Sequence, residues 1–336
     1  MDKTAILNPL SGPARRLAVT GTVAEHLFHV VIGLLALIAF LMLLPLPRAA
    51  SKARSAPPWG VVSLVEDSAS YSLYSNGLRV ENGYRISGVQ RFYQTLDRRR
   101  EMRPSEAWYS APVGIVFHMT ESRPEAAAGL VGGIRDRASY HFVIDRTGRT
   151  WRVVEALDVA NHSGNSIWAN GDTVYLNVNN SFLGVAFEAR TPPGGAPELT
   201  VAQRKSGRLL TELLLSQFEI PTANGVTHAQ VSVNPDNLQA GYHTDGARGF
   251  PFADLGLPDN YNLPVVSVSD FGFRSDDTYL TAMGGSPWKG LVSAEESMLA
   301  NARRNRVDPE DYRLFLQARY RHLFAAFRLT GALDEP

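Results

Sequence analysis

Gly-Ile-Val-Phe-His-Met-Thr, residues 114–120, decides how this chain folds. Val113–Phe117 is an uninterrupted apolar run of strand length, so it reads as a buried strand. His118 stands at its end, where a side chain can project from a sheet edge into a cleft. Working outward, Ser139–Ile144 is a second strand, Asp145-Arg146-Thr147-Gly148 a turn and Thr150–Val154 a third strand, together a hairpin. Leu183–Phe187 is a further strand. Thr200 to Phe218 is the clearest soluble helix: Thr200 and Gln203 make a capping box, and Leu209, Leu210, Leu213 and Leu214 form one apolar stripe. From Ala111 onward the pattern is α/β.

The chain has 336 residues, enough for one large domain or two small ones with a sizeable core. Lys+Arg and Asp+Glu balance at 33 each, so no global field attracts nucleic acid or demands an acidic partner. Cysteine is absent. That excludes disulfides, cysteine-based zinc fingers and a lipid anchor on cysteine, and leaves any metal to His and carboxylate.

Residues 27–46 (LFHVVIGLLALIAFLMLLPL) belong to a different solvent class, with no formal charge and His29 as the polar exception. About 20 apolar residues are what a helix needs to cross a bilayer core. A buried core helix of this length would show a polar face, and a signal peptide would have a shorter apolar region nearer the start. The run reads as a single-pass transmembrane anchor, with cleavage near Ala49–Ser51 as the alternative. Lys3, Arg15 and Arg16 before it balance Arg48, Lys52 and Arg54 after it, so charge does not orient the span.

The remaining segments divide around these landmarks. Residues 1–26 are a short tail, and 47–59 a basic, Pro-containing linker. Residues 60–110 are an N-terminal addition to the core, with strand-like pieces at Tyr71–Tyr74 and Leu78–Val80, turn signals at Asn76-Gly77 and Asn82-Gly83, and a helical, charged stretch from Gln90 to Arg100. Residues 111–265 hold the chemistry, and 266–336 form a helical C-terminal extension. There Ser293 and Glu296 read as a second capping box and Asp308-Pro309 opens a last helix. Its Tyr312, Phe315, Leu316, Tyr320, Leu323, Phe324 and Phe327 recur at helical spacing as a docking face, and Gly331 is a stop.

Three metal-capable side chains stand in suitable settings. His118 ends its strand; His228 lies in Gly-Val-Thr-His-Ala after a helix and a turn; Asp245 closes His243-Thr-Asp-Gly in a Gly-rich loop. His228 and Asp245 are separated by turn-rich sequence that can bring both to one ion. Catalytic zinc sites use three protein ligands and leave the fourth position to water. Two neutral imidazoles and one carboxylate leave such an ion with net positive charge, which lowers the pKa of bound water toward about 7. If the three converge, the protein is a metallohydrolase.

Ile-Val-Phe-His118-Met-Thr, Ser-Tyr140-His-Phe-Val-Ile-Asp-Arg-Thr-Gly, Ala160-Asn-His162-Ser-Gly164, and Thr-His228 followed by His243-Thr-Asp245-Gly come in one order along Ala111 to Leu257. In that order they resemble the zinc-dependent N-acetylmuramoyl-L-alanine amidases, the family of phage amidase lysozymes and peptidoglycan-recognition proteins. The resemblance implies a central mixed β-sheet flanked by helices, with a zinc (Zn2+) cleft on one face. It also implies cleavage of the amide joining N-acetylmuramic acid to L-alanine of peptidoglycan. His118, His228 and Asp245 would be the metal ligands, Tyr140 a donor near the scissile carbonyl, and His162 a residue lining the muropeptide cleft. His141, on the opposite face of the strand from Tyr140, reads as structural. Because peptidoglycan lies outside the cytoplasmic membrane, the resemblance also implies an inner-membrane protein whose C-terminal domain faces the periplasmic, extracytoplasmic side.

Two departures stand out. Family enzymes often carry lysine two residues before the third ligand, where this chain has His243, which can act as an oxyanion donor either charged or neutral. Bacterial members often show Gly-Ile-Glu in the strand after the cleft loop, where this chain has Gly184-Val-Ala186 and its next acid is Glu188. Strand alternation puts Glu188 on the face of Ala186 but about 7 Å along, so its service as acid/base is an expectation. A non-catalytic peptidoglycan-binding domain and a zinc hydrolase of another amide or ester are the alternatives.

Overall fold

The structure, a computed structural model, describes residues 61–62, 71–82, 89–121, 134, 137 and 139–329. These lie in one unit, Ala56–Pro336. The apolar run 27–46, the tail, the linker and Gly331 lie outside the described residues, as does Gly83 of the second turn signal. No helix among the described residues is long and apolar enough to cross a membrane.

Among the described residues a mixed sheet of eight strands forms the centre. In chain order its strands are β1 (Val61–Val62), β2 (Tyr71–Tyr74), β3 (Arg79–Asn82), β4 (Gly114–Met119), β5 (Phe142–Ile144), β6 (Thr150–Arg152), β7 (Phe182–Phe187) and β8 (Gly225–Thr227). In space they run β1-β2-β3-β6-β5-β7-β4-β8. β4 lies between β7 and β8, parallel to both, and all six of its residues are buried. This is why it reads as a continuous apolar run rather than an alternating one. The hairpin expected between β5 and β6 is antiparallel and closes through Asp145, whose Oδ1 accepts the Thr147 and Arg149 N–H groups.

One face of the sheet is covered by α1 (Val201–Phe218). Thr200 and Gln203 form the expected reciprocal cap, worth about 1 kcal/mol. Leu210, Leu213 and Leu214 are almost fully buried against Ile115, Phe117, Leu183, Val185 and Phe187. Odd-numbered residues of β4 and β7 therefore serve this core, and even-numbered ones, including His118, face the other side.

The flanking regions share cores with the middle of the chain. Leu96 and Met102 from the N-terminal addition, Ile167 and Val174 from the middle, and Phe271, Leu291, Tyr320 and Phe327 from the C-terminal extension join one apolar cluster. The extension holds α2 (Lys289–Asn305) and α3 (Pro309–Leu329). On α3 the aromatic stripe docks through Leu316, Tyr320 and Phe327, while Phe315 stays exposed.

Two sequence expectations are corrected. Gln90 to Arg100 is not helical apart from a short turn at Arg98–Arg100; it carries bridges at Gln90 and Tyr93 and the strand Leu96–Asp97. Arg91, Tyr93 and Thr95 are buried while Phe92 is exposed, a period of two that the charged composition hid. Ser293 and Glu296 do not cap a helix, because α2 starts upstream at Lys289. Gly290 allows that earlier start, since a Cβ there would fall 1.9 Å from the Leu263 carbonyl oxygen.

Candidate metal centre

His118, His228 and Asp245 meet on the face of the sheet opposite α1. One ligand atom from each lies within 4.8 Å of the others. β4 delivers His118, and Ala186 is its neighbour in register on β7. β8 delivers His228 into the first position of a short helix, His228–Val231, capped by Thr227 and Gln230. Asp245 sits in the following loop, whose turn is held where Gly246 donates to Thr191 Oγ1 at 3.3 Å and accepts from the Tyr261 hydroxyl.

The hydrogen bonds define the state of the two imidazoles. His162 Nε2 lies 3.3 Å from the Phe182 carbonyl, which can only accept, so Nε2 donates and Nδ1 is left to accept. That Nδ1 is 3.1 Å from His118 Nε2, which therefore donates. His228 Nε2 likewise faces the Ser163 carbonyl at 3.3 Å. Each ring thus turns an unprotonated Nδ1 toward Asp245, at 3.3 Å for His118 and 2.9 Å for His228.

Two lone pairs and a carboxylate aimed at one another repel unless a cation lies between them, so the donor set fits a metal ion. Burial pushes His118 down to about 4, reinforced by neighbouring His228, so it is neutral at neutral pH. Burial opposes the Asp245 charge, but positive charge or a donated N–H at the His228 and His118 rings outweighs it and holds its carboxyl well below the usual carboxylate range, a demand that a cation between the three would also meet.

The other expected site residues fall at different depths. Tyr140 is half-buried, its ring centroid 5.0 Å from that of His118. Burial, then the charges of Asp245 and Glu121, push its hydroxyl above its ordinary value, so it stays a proton donor. His243 stacks on His228 with centroids 4.4 Å apart. Burial and His228 lower its pKa against the opposing pull of Asp245, which favours the neutral ring over the imidazolium.

His162 is buried, its Nδ1 against the His118 ring. Its backbone N–H donates to Asn179 Oδ1, which also takes the N–H and hydroxyl of Ser163. Asn179 and Ser163 thereby hold the loop that orients both ligand histidines, a role no motif in the sequence marked. His141 is fully buried; its Nδ1 accepts from Gly184 N–H at 2.9 Å and its Nε2 faces the Asp158 carbonyl.

Glu188 is buried at the end of β7, its Oε2 accepting from the Arg146 N–H at 3.3 Å, so its carboxylate is tied to the β5–β6 turn. A second carboxylate, Glu121, was missed in the sequence. It follows β4 with a left-handed φ of 52° and accepts from the Thr191 N–H at 3.0 and 3.1 Å. Thr191 also receives the Gly246 N–H, which links Glu121 to the Asp245 loop. Burial raises its pKa first, and the charge of Asp245 adds to this. Its closeness in sequence to His118 was the available signal.

The three side chains form a donor set that could hold a metal ion. Residues 108–245 match the N-acetylmuramoyl-L-alanine amidase family model. No curated protein sequence matches the chain. Among solved structures it is similar to AmpDh3 from Pseudomonas aeruginosa (18% identity, 58% of this chain and 92% of that one, TM-score 0.40). It is also similar to AmiD from E. coli, in complex with anhydro-N-acetylmuramic acid-L-Ala-D-gamma-Glu-L-Lys (21%, 46% and 60%, TM-score 0.36). A third is the amidase LysC from Clostridium intestinale (20%, 43% and 82%, TM-score 0.31).

Proposed function

We propose that this chain is a zinc-dependent N-acetylmuramoyl-L-alanine amidase that hydrolyses the amide between N-acetylmuramic acid and L-alanine of peptidoglycan. The convergence of His118, His228 and Asp245, within and at the end of the matched segment, carries the reading. Nitrogen and oxygen donors without sulfur suit zinc in its catalytic form. When bound there, zinc supplies Lewis-acid activation of water and of the scissile carbonyl.

The chain's own residues do the rest. His162 and the Ser163 carbonyl fix the ligand tautomers. Tyr140 keeps its proton and offers it as a hydrogen bond where negative charge develops on the carbonyl oxygen. His243, neutral and stacked on His228, is a second donor at the mouth of the site. Water adds its oxygen to the carbonyl carbon, the C–N bond breaks, and the leaving amine needs a proton. Glu121 is better placed to return it than Glu188. It shares the electrostatic environment of Tyr140 and Asp245, and its pKa, raised by partial desolvation and by the Asp245 charge, suits it to take the proton that the water gives up as its oxygen adds and to pass it to the amine.

The apolar run 27–46 fits an anchor in the cytoplasmic membrane, with the enzyme on the extracytoplasmic side where its polymer lies. The test is zinc content together with muropeptide digestion by the purified chain. The wild type binds one zinc and releases stem peptide, and His118→Ala loses both. Full turnover by metal-free His118→Ala protein would overturn the reading, and zinc binding without turnover would make the protein a recognition module.

A further inference from the structure

A cavity of about 950 Å3 opens beside the metal centre, and His243 lines both. One wall comes from the amidase segment, including Asn177, Asp236 and His243; the opposite wall is α3, through Tyr320, Arg321 and Phe324. That volume is near the top of the range of about 300–1,000 Å3 for small-ligand sites, so it takes more than a single amide group. α3 lies entirely outside residues 108–245. The matched domain therefore does not enclose this groove by itself.

Arg321 is the charged group on the α3 wall. On the same helix, Arg313 pairs with Glu295 and donates to the Phe273 carbonyl, and Arg319 donates to the Asp270 carbonyl. Arg321 is exposed and has no ion-pair or hydrogen-bond partner among the described residues. Its backbone is nevertheless fixed. Tyr320 beside it is 2% exposed and sets its ring edge-on to Phe273, with centroids 4.8 Å apart. A cation held on a packed helix, facing a groove and unneutralised, is preorganised for an anion.

We propose that Arg321 binds a carboxylate of the stem peptide, so that the C-terminal helix is part of the substrate site and selects acidic peptides. This rests on the amidase reading, which puts a peptide on the leaving side of the scissile bond. N-acetylated sugars are neutral and the muramic carboxyl is consumed in the amide, so the free carboxylates in this substrate belong to the peptide. A guanidinium takes a carboxylate through two parallel N–H···O bonds. Asp236, lining the same groove, repels a carboxylate from the other wall and so fixes the direction in which the peptide lies.

The experiment uses the full chain with zinc and a muramyl tripeptide, in free-acid form and with its peptide carboxylates amidated. Binding is measured by calorimetry and turnover by product release. Arg321→Gln should weaken binding of the acid form and raise its KM by roughly tenfold or more, leaving kcat and the amidated substrate unchanged. Arg321→Lys should recover part of the loss. Equal effects on both substrates, or none on either, would overturn the role of Arg321. A wild type that binds the acid form without cutting it, and loses that binding in Arg321→Gln, would sink the amidase reading while leaving this site standing.

Discussion

Gly184→Ala is the substitution that most directly tests how the ligand histidines are held. Gly184 lies in β7 on the side of the sheet that carries His118, and the His162 ring rests on it. A Cβ there would stand 2.6 Å from His162 Cγ, 2.9 Å from its Cβ and 3.0 Å from its Cδ2. Unstrained carbon contacts need about 3.5–4.0 Å, so the imidazole must retreat by about 1 Å. Overpacking of this kind costs about 1–3 kcal/mol, while losing a glycine returns about 0.4–1 kcal/mol from the unfolded chain. The net expectation is a destabilisation of about 1–2 kcal/mol.

The same retreat stretches the 3.1 Å bond from His118 Nε2 past hydrogen-bonding reach. Loss of such a partner typically lowers metal affinity about 10–100-fold. Urea unfolding of the metal-free protein reads the first effect and competition with a zinc chelator the second. A double-mutant cycle isolates the cause. In a His162→Gly background the ring and its Cβ are both gone, so Gly184→Ala should become neutral or slightly stabilising. If the two substitutions instead add to within about 0.5 kcal/mol, the steric argument is wrong and glycine stands there for another reason.

Other outcomes follow from the site. Glu121→Gln should lower kcat about 100-fold or more with zinc content unchanged, as removal of a general acid does, and Glu188→Gln should have little effect. The reverse ranking, read from steady-state rates on muropeptide, would return the proton to Glu188. Tyr140→Phe should cut kcat about 100-fold at nearly constant KM, the signature of a donor used in the transition state. pH affects the metal-free protein through His118. Its folded pKa of about 4 lies below the ordinary 6.5, so only the unfolded chain takes up the proton between those values. Stability should therefore fall as pH drops from about 6.5 to about 4, by at most about 3 kcal/mol from this residue. Urea melts of chelator-treated protein that stay flat between pH 7 and 5 would contradict a buried neutral His118.

What could be read beforehand was set by the range of the interactions involved. β4 declared itself because a central strand buried on both faces leaves an unbroken apolar run, and α1 because its cap and leucine stripe are local. The ligand residues were visible because each sits in a short segment whose order survives. The stretch Gln90 to Arg100 misled because its organising contacts are remote. Arg91 is 1% exposed and donates to the carbonyls of Asn179, Phe182 and Asp158. A lone arginine gives no local sign that it will be buried by main-chain acceptors so far along the chain. Glu121 and the groove at Arg321 escaped for the same reason, since Thr191 and α3 meet them only after folding.

Those remote contacts also explain how the site is assembled. β7 carries Gly184, whose N–H engages His141 and whose bare Cα seats His162, and Phe182, whose carbonyl takes the His162 proton. His118 on β4 is then oriented by His162, so one strand's backbone determines the tautomer of a ligand on the next. A fourth histidine, His228, is oriented separately through Ser163 on the loop that Asn179 holds. The two ligand rings therefore share Asp245 and the loop that Asn179 holds, but each takes its own contact from that loop, His118 from the His162 ring and His228 from the Ser163 carbonyl. Disturbing Gly184 should weaken His118 alone and leave His228 aimed at Asp245, so metal affinity should fall by the contribution of one oriented ligand and not collapse. By the same logic Asn179→Ala, which frees the loop under both rings, should cost more metal affinity than Gly184→Ala although it touches neither ligand.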